Sequence, residues 1–501
     1  REVLAGWIET FSREEFAIRL VRPVQKHVSR LCSSPAAMQQ NRPEVLQAMD
    51  LLSLLHGINE RRGQLIKYEE FHNSEVSDNA NLPQEYKISY ELGHAKRGSV
   101  ETLCHVPFIF TPEAKNRILQ GEANLQKQKH INDSRIQAMF FGPSPAQSVW
   151  LHIRVRREHL LEDALNEIVQ KPQDLKKPLK VTFLSAGAVE EGLDEGGVAR
   201  EFFMLLTREL LDVNYGMFAY LPETRTYWFN QASMEPDINF RLVGILLGLA
   251  IYNNVILDVH FPMVTYKKLV GLKPEFNDLK AAMPELGRGL QQLLDYEGDV
   301  EEVFARNFDV EYEYYGEMRT VELVEGGSSK PVTNENRQEY VELYTKWVLE
   351  DSINRHFQAF SEGFHEVCDG FALRMFRHEE LELLIRGLPH LDFEALQKVT
   401  RYDGGYREDS PTVQMFWEVL HSLTLEQKKR FLLFTTGCDR APVGGLGKLP
   451  LIIQRSGPDT DRLPTSHTCF HILLLPEYAS KDKLRERLLL AIDNAEGFGL
   501  Q

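Results

Sequence analysis

The sequence has few cysteines, and they are far apart. An odd number of widely spaced cysteines, without a CxxC pair, argues against a disulfide framework and against a zinc site. The pattern is typical of a protein in a reducing compartment, so we expect the cytoplasm or the nucleus, and neither a metal nor another cofactor. The five cysteines among 501 residues are Cys32, Cys104, Cys368, Cys438 and Cys469.

The sequence also lacks a long hydrophobic run and an excess of positive charge. No apolar segment reaches the roughly 18 residues that a membrane-spanning helix needs, and no signal-peptide core follows Arg1. The formal net charge is −16, whereas a general nucleic-acid binder needs a basic surface. We therefore expect no membrane and no nucleic acid among the partners. Because the chain begins at Arg1, we expect a fragment of a longer protein.

Several familiar catalytic motifs are missing. Three glycine-rich segments, at 194–197, 403–405 and 444–448, match neither GxxxxGK[ST] nor a GxGxxG that follows a strand. We interpret them as turns. No HExxH and no GxSxG is present, so nothing supports a zinc protease or an α/β-hydrolase, although residue counts alone leave a Ser-His-Asp triad open.

The patterns that are present predict a mostly helical region followed by mixed structure. Helical apolar stripes cover Glu14 to Cys32, with a break at Pro23, and Pro43 to Ile58. Thr111-Pro112 is typical of a helix start, and the polar stretch from Asn73 to Pro83 predicts a loop.

From Val149 onward the sequence alternates between strand and helix patterns. The expected strands are 150–156, 179–184, 449–453 and 470–475. The expected helices are 157–169, 201–211, 240–252, 413–423 and 481–494. Gly387-Leu388-Pro389 predicts a hinge, because glycine ends a helix and proline prevents its continuation.

Cys469 has the most suggestive surroundings of the five cysteines. A polar turn that starts at Pro464 leads directly into the apolar segment from Phe470 to Leu475, and His467 lies two residues before Cys469. A thiolate is a strong nucleophile at neutral pH, and a neighbouring imidazole can influence it. From these residues alone, a catalytic thiol and a small buried hydrophobe both remain open for Cys469.

Four collinear segments resemble HECT ubiquitin ligases. The resemblance covers about residues 148 to 501 and is closest to the branch of the E6-associated protein, with the HECTD group next. The segments are LDEGGVAREFF (193–203), GLAIYNNVILDVHFP (248–262), FTTGCDRAPVGGLGKL (434–449) and LPTSHTCFHILLLPEYASKDKLRERLLLAIDNAEGFGLQ (463–501).

The resemblance implies an α+β fold with a bilobal catalytic domain. A helix-rich N-lobe at 148–386 would bind a conjugating enzyme (E2), and a smaller α/β C-lobe at 391–501 would carry the catalytic cysteine. A hinge at 387–390 would join the lobes and let the cysteine face first the E2 and then the substrate lysine. Residues 1–147 would form a mostly helical extension.

By resemblance, Cys469 accepts ubiquitin from the E2 as a thioester and passes it to a lysine of a protein substrate. His467, Glu201 and Asp258 are then candidates for activating or orienting that lysine. Glu201 is equally interpretable as a residue of a first helical turn, and Asp258 as a structural hydrogen-bond acceptor.

Further residues are matched to the same family. Phe498 matches an aromatic required for ligation to lysine, which leads us to expect an intact C-terminus, and Phe376 matches a residue linked to self-association. Two departures are Arg306, where the branch has an apolar residue, and His471, where the family commonly has Asn. The predicted E2 groove consists of Leu286, Leu290, Tyr296, Phe304, Tyr340 and Tyr344.

Two other functions compete with an active ligase. A binding module would keep the fold and bind ubiquitin or an E2 without forming an adduct. A cysteine hydrolase such as a deubiquitinase would need a His and an Asn or Asp assembled around the thiol.

Overall fold

The structure is a computed structural model that describes residues 6–92, 100–141, 149–185, 188–189 and 197–494. The chain forms two compact units. The first comprises residues 1–128 together with 369–380, and the second comprises 129–368 together with 381–501. The chain passes from one unit to the other three times, inside the helix Pro112–Phe141, between Cys368 and Asp369, and inside the helix His378–Arg386. These crossing points differ from the predicted lobe boundaries, which remain a prediction about function.

Helices joined by short turns and loops make up the described part of the N-terminal unit. Its longest helix begins as predicted at Pro112, where Thr111 Oγ1 accepts a hydrogen bond from the backbone N–H of Ala114 (3.3 Å). The helices that begin within residues 6–128 of this unit are α1 Arg13–Glu15, α2 Arg22–Leu31, α3 Pro35–Gln40, α4 Arg42–Arg61, α5 Ser74–Asn79, α6 Leu82–Leu92 and α7 Pro112–Phe141.

Two predictions for this unit were wrong. Pro23 does not break its helix, because the π-helical turn Phe16–Val21 directly before it takes up the distortion and the helix continues to Leu31. The segment 73–83 is not a loop. Asn73 Oδ1 caps α5 by accepting from the N–H of Val76 (3.1 Å), and burial of Val76 outweighs the polar composition.

The second unit contains the remaining helices. Two of them, Asp237–Tyr252 and Asn354–Val367, pack against each other at its centre, and the first is apolar on nearly every side, as predicted. The helices are α8 Leu160–Ala164, α9 Gly197–Leu210, α10 Asp237–Tyr252, α11 Met263–Leu269, α12 Phe276–Ala282, α13 Pro284–Asp295, α14 Val300–Phe304, α15 Arg337–Leu349, α16 Asn354–Val367, α17 His378–Arg386, α18 Phe393–Val399, α19 Pro411–Ser422, α20 Leu425–Thr436 and α21 Lys481–Asn494.

The strands of the second unit form two short hairpins and two small sheets. In one sheet β1 pairs in parallel with β2, and β2 pairs antiparallel with β3. The other sheet has the order β10-β11-β9-β8. The strands are β1 Leu151–Arg156, β2 Leu179–Ser185, β3 Ala188–Val189, β4 Phe218–Leu221, β5 Thr226–Phe229, β6 Asp309–Tyr314, β7 Glu317–Glu322, β8 Arg401–Asp403, β9 Ile452–Arg455, β10 Thr465–His467 and β11 Ile472–Leu475.

The four-stranded sheet belongs to a C-terminal lobe with its own apolar core. Phe416 and Leu420 from α19 and Leu488 from α21 pack with Ile453 and Leu473 of the sheet. The lobe follows Gly387, which ends α17 with a φ of +78°. The arrangement of a helix-rich lobe, a glycine and a small α/β lobe is the bilobal fold that the sequence predicted.

The predicted hinge is partly tied to the C-terminal lobe. Leu388 and Ala441 exchange two backbone hydrogen bonds, N–H of Leu388 to O of Ala441 (2.6 Å) and N–H of Ala441 to O of Leu388 (2.9 Å). Leu388 also packs on the core of that lobe. Within the segment 387–390, Leu388 is thus bonded to the C-terminal lobe, and Gly387 directly before it has the positive φ; the hinge itself stays a prediction.

Candidate active site

Cys469 lies in the turn between two antiparallel strands. The register pairs His467 of β10 with Ile472 of β11, so the chain must reverse between these residues. It does so in the single 3₁₀ turn Thr468–Phe470, followed by His471 with a φ of +52°. The strand expected to start at Phe470 therefore starts at Ile472. The backbone of Cys469 lies in this turn, and its side chain is outside the described part of the structure.

The turn is held from both sides. Ser466 on β10 donates a hydrogen bond from its hydroxyl to the carbonyl of Phe434 in α20. The carbonyl of His471 accepts a hydrogen bond from the N–H of Ile452 in β9 (2.9 Å). The side chain of His467 is exposed at the end of β10, and that of Phe470 is 39% exposed. A turn with a fixed backbone and an open face suits a nucleophile that must meet large partners.

The other four cysteines are buried free thiols. Burial raises the pKa of Cys32 to about 11, and that of Cys104 and that of Cys438 to about 12. Cys368 Sγ lies 3.6 Å from the carbonyl oxygen of Gly248. Buried thiols in apolar surroundings are poor nucleophiles, so these four cysteines are small core residues.

The turn packs against α9, which carries Glu201. Glu201 Oε1 pairs with Arg157 Nη1 at 2.7 Å, and the guanidinium of Arg157 lies over the ring of Phe183, 4.1 Å from its centroid. The helix that carries Glu201 thus contacts the turn, while the Glu201 carboxylate is paired with Arg157. That carboxylate could hold a second cation, such as a lysine ammonium, by exchanging that partner.

Arg200, next to Glu201, contacts the turn directly. Its Nη1 lies 3.2 Å from Nε2 of His471. His471 is 5% exposed, and burial, together with the charge of Arg200, lowers the pKa of His471 to about 4. The imidazole is therefore neutral at neutral pH, and its Nε2 can accept the hydrogen bond from Arg200. Sequence reasoning singled out His471 as a departure but missed Arg200, whose partner is 271 residues away along the chain.

Asp258 belongs to a network of charged and polar side chains that reaches Arg386, next to Gly387. His260 Nε2 lies 2.8 Å from Asp258 Oδ1, and Arg386 Nη2 lies 3.0 Å from His260 Nδ1. A neutral His260 with its proton on Nε2 satisfies both contacts. The hydrogen bond from His260, aided by the charges of Arg386 and Arg208, lowers the pKa of Asp258, so this exposed carboxylate stays ionised.

The same network of charged side chains extends to Arg440 of the C-terminal lobe. Arg386 Nη1 lies 2.5 Å from Glu382 Oε1, and Arg440 Nη1 lies 3.8 Å from the same oxygen. The negative charge of Asp258 also contributes to the raised pKa of Cys438, two residues before Arg440. Asp258 itself is bonded to His260 in this network. Through His260 and Arg386, Asp258 is linked to the end of α17, directly before Gly387.

The six residues predicted to bind the E2 differ in burial: two are buried and four are half-buried. Leu290 and Tyr340 are buried (6% and 3% exposed), so they are core residues rather than exposed anchors. Tyr340 packs edge-on against Phe308, with the ring centroids 5.5 Å apart. The four half-buried residues, which are available to a partner, are Leu286, Tyr296, Phe304 and Tyr344.

An open pocket of about 520 Å³ lies beside this surface. The rings of Tyr296 and Phe304 form one wall, edge to face with their centroids 5.5 Å apart. The polar side chains around them are Arg288, Gln291, Gln292 and Asp295. Arg306 is exposed. Burial raises the pKa of Tyr344, and the positive charge of Arg306 opposes that rise. The departure at Arg306 therefore lies close to this tyrosine.

Two predicted residues lie elsewhere. Phe376 is buried in the N-terminal unit, at 5% exposure, so as placed it is a core residue there. Phe498 lies outside the described residues. Within the described ranges, no group of three or more His, Cys, Asp or Glu residues could hold a metal ion, and none of the helices there is long and apolar enough to cross a membrane.

The bilobal fold and the cysteine turn agree with a comparison with known families. A family model described as HECT-domain (ubiquitin-transferase) matches residues 204–501, and the chain belongs to this family. The human protein described as probable E3 ubiquitin-protein ligase HERC4 is 42% identical over 469 residues, covering 90% of this chain and 44% of that protein.

Two more relatives broaden the comparison. Human HECTD2, also described as a probable E3 ubiquitin-protein ligase, is 39% identical over 520 aligned residues, covering 99% of this chain and 66% of its own length. Probable E3 ubiquitin-protein ligase HUL4 of Eremothecium gossypii is 38% identical over 416 residues, covering 80% of this chain and 49% of that protein. The chain thus spans less than half of HERC4. The predicted HECT family is confirmed, whereas the branch of the E6-associated protein stays a prediction.

Proposed function

We propose that the chain is the catalytic part of an E3 ubiquitin-protein ligase that carries ubiquitin as a thioester on Cys469. The observation that carries the proposal is the position of Cys469 in a hairpin turn packed against α9, in a chain of the HECT-domain family. The burial of the other four cysteines supports it, because it leaves no second reactive thiol among them.

The first step transfers ubiquitin from the E2. The Cys469 thiolate attacks the carbonyl carbon of the thioester that joins ubiquitin to the E2 cysteine. A new C–S bond forms, the old C–S bond breaks, and the E2 cysteine leaves as a thiolate. Because the two thioesters are close in energy, the exchange depends on positioning more than on driving force.

The second step transfers ubiquitin to a lysine. The neutral amine attacks the Cys469 thioester, the C–N bond forms, Cys469 leaves as a thiolate, and the nitrogen loses a proton. Asp258 is ionised and suits attraction and orientation of the lysine ammonium, while exposed His467 is a candidate for accepting the proton. Glu201 contributes by orienting the lysine once it leaves Arg157, and Phe498 by supporting this step.

The E2 binds, in this proposal, on the surface made by Leu286, Tyr296, Phe304 and Tyr344. Half-buried aromatic side chains lose little entropy on binding and make strong anchors for a partner loop. Leu290 and Tyr340 support them from below. The exposed cation at Arg306 favours an E2 whose contacting loop is acidic or neutral.

The proposal also covers organisation and location. Residues 148–386 act as the E2-binding lobe, 387–390 as the hinge, 391–501 as the thioester-carrying lobe and 1–147 as an extension. Protein substrates supply the lysine, and self-association remains open. The four free buried thiols agree with a reducing compartment, the cytoplasm or the nucleus.

A single-turnover charging reaction tests this function. The purified chain is mixed with ubiquitin-loaded E2 and analysed with and without reductant. We expect a ubiquitin adduct that reductant removes, that Cys469→Ala abolishes and that Cys438→Ala, a buried-thiol control in the same lobe, retains. Binding of loaded E2 without an adduct would replace the ligase by a binding module. Cleavage of a ubiquitin amide without E2 would indicate a hydrolase.

A further inference from the structure

His471 joins the cysteine turn to the helix that carries Glu201. Its backbone adopts the left-handed conformation (φ +52°) that closes the turn, with its N–H bonded to the carbonyl of Thr468 (3.3 Å). Its carbonyl accepts from Ile452 (2.9 Å), which fixes the residue in the sheet. A non-glycine residue tolerates this conformation only at a cost, and such residues often serve a site.

The side chain of His471 extends the link to α9. Nε2 lies 3.2 Å from Arg200 Nη1, while Nδ1 is buried without a hydrogen-bond partner in the described structure. A neutral imidazole can accept at Nε2 only with its proton on Nδ1, so the contact to Arg200 leaves that N–H unsatisfied. The side chain is thus placed for the contact with Arg200 rather than for its own solvation.

The geometry on α9 makes this contact specific. Arg200 and Glu201 are adjacent, yet Arg200 faces His471 while Glu201 pairs with Arg157. Docking of the turn through Arg200 therefore brings the Cys469 backbone next to the helical turn that presents Glu201. The side chain of an asparagine at 471, the residue common in the family, would be shorter than that of histidine. Its acceptor oxygen would lie closer to the backbone and farther from Arg200 than Nε2 of His471 does.

We propose that His471 is a positioning residue that, by accepting a hydrogen bond from Arg200, docks the loaded cysteine turn on α9 for transfer of ubiquitin to lysine. The inference rests on the proposed function. The link acts in the second step, because Glu201 is useful only when the lysine attacks. Capture of ubiquitin from the E2 does not require it.

The test separates the two steps in single turnover. Charging by loaded E2 is measured first, and the isolated thioester is then discharged to a substrate lysine and, separately, to hydroxylamine. We expect His471→Ala and Arg200→Ala each to slow discharge to lysine by about tenfold to a hundredfold, the scale of losing a hydrogen bond to a charged group. Charging and hydroxylamine discharge should change by less than about threefold.

Three further variants make the result interpretable. The double variant should discharge no more slowly than the slower single variant, because both remove the same link. His471→Asn keeps an oxygen acceptor and should recover part of the rate. Arg154→Ala removes an exposed cation from β1 of the same lobe and should match the parent.

Several outcomes would overturn the inference. Unchanged lysine discharge in both single variants would show that the link does not position the turn. An equal loss of charging and discharge in both variants would assign it to folding, and Arg200→Ala decides this because it leaves the C-terminal lobe unaltered. Additive losses in the double variant would mean that the residues act separately. Absence of any thioester in the parent would instead refute the proposed function itself.

Discussion

Tyr340 and Tyr344 lie one helical turn apart on α15 and have different surroundings. Tyr340 is buried against Phe308, whereas Tyr344 is half-buried and lies edge to face with Trp347, with the ring centroids 6.5 Å apart. The sequence predicted both as members of one groove, because spacing alone places them on one face. It could not predict their depth, which depends on tertiary contacts such as that of Tyr340 with Phe308, just before β6.

This difference separates binding from folding. We expect Tyr344→Ala to lower the rate of charging at limiting E2 by about tenfold or more, since an aromatic anchor is lost, with little change in the free energy of unfolding. Tyr340→Ala should lower the free energy of unfolding by about 3–5 kcal/mol, as for a buried aromatic. Charging titrations and urea denaturation measure the two effects. Equal charging by Tyr344→Ala and the parent would contradict the proposed surface.

Asp258 predicts a pH dependence of lysine discharge. Its pKa is lowered by His260 and by nearby arginines, so the carboxylate is ionised throughout pH 5–8. We therefore expect protonation of Asp258 to leave the rate of discharge to lysine unchanged in that range. The rate should decline through Asp258 only as the pH falls below the usual carboxyl pKa of about 4. Asp258→Asn should lower the rate at all these pH values. A limb between pH 5 and 7 that disappears in Asp258→Asn would contradict the ionised state.

The proposed hinge lies where α17 ends, at Gly387. Gly387 has a φ of +78°, and a Cβ there would lie 2.3 Å from the carbonyl oxygen of Ala441. Gly387→Ala should therefore disfavour the present lobe arrangement and slow discharge to lysine more than charging. Gly445→Ala is the matched control, because Gly445 has a similar φ of +82° but open space around it. Equal discharge by the two variants would argue against Gly387 as the hinge.

A buried ion pair stabilises the N-terminal unit. Lys115 Nζ lies 2.7 Å from Glu380 Oε2, both side chains are fully buried, and His72 Nε2 lies 3.2 Å from Glu380 Oε1. Burial alone would raise the pKa of Glu380, but its bonds to His72 and Lys115 outweigh this and lower it. The pair therefore connects the segment 369–380 to α7 within this unit.

Removing one partner should be costly. We expect Lys115→Met to lower the free energy of unfolding by about 3–5 kcal/mol at pH 7, because a buried carboxylate is left uncompensated. In the parent, the contribution of Glu380 is present above the unfolded pKa of about 4.3 and is lost as the pH falls. In Lys115→Met, protonation relieves the penalty, so the difference from the parent should shrink toward pH 4.5. Urea denaturation at both pH values checks this.

The elements that the sequence predicted well are those with long periodic patterns. The strand Leu151–Arg156 and the helices Asp237–Tyr252 and Lys481–Asn494 lie where their apolar spacing predicted. The failures at Pro23 and at 73–83 have tertiary causes, a π turn and a buried cap, which local composition does not encode. Phe470 was assigned to a strand because it is apolar, whereas the register of β10 and β11 requires a turn there.

At the scale of the whole molecule, the family motifs predicted more than periodicity could. They predicted the HECT family and the bilobal α+β fold, which are confirmed, whereas the hinge and the catalytic role of Cys469 stay predictions. They did not predict Arg200–His471 or the network from Asp258 to Arg386, because these contacts join residues on separate elements. The division of the chain at Gln128, with 369–380 joined to the N-terminal unit, was also not foreseen.

The most direct measurement is the location of the ubiquitin adduct. The chain is charged by loaded E2, stopped without reductant, digested under acidic conditions and mapped by mass spectrometry. The account predicts a single thioester-linked peptide that contains Cys469, lost on treatment with thiol and absent from Cys469→Ala. An adduct on another cysteine, or one that persists in Cys469→Ala, would contradict it.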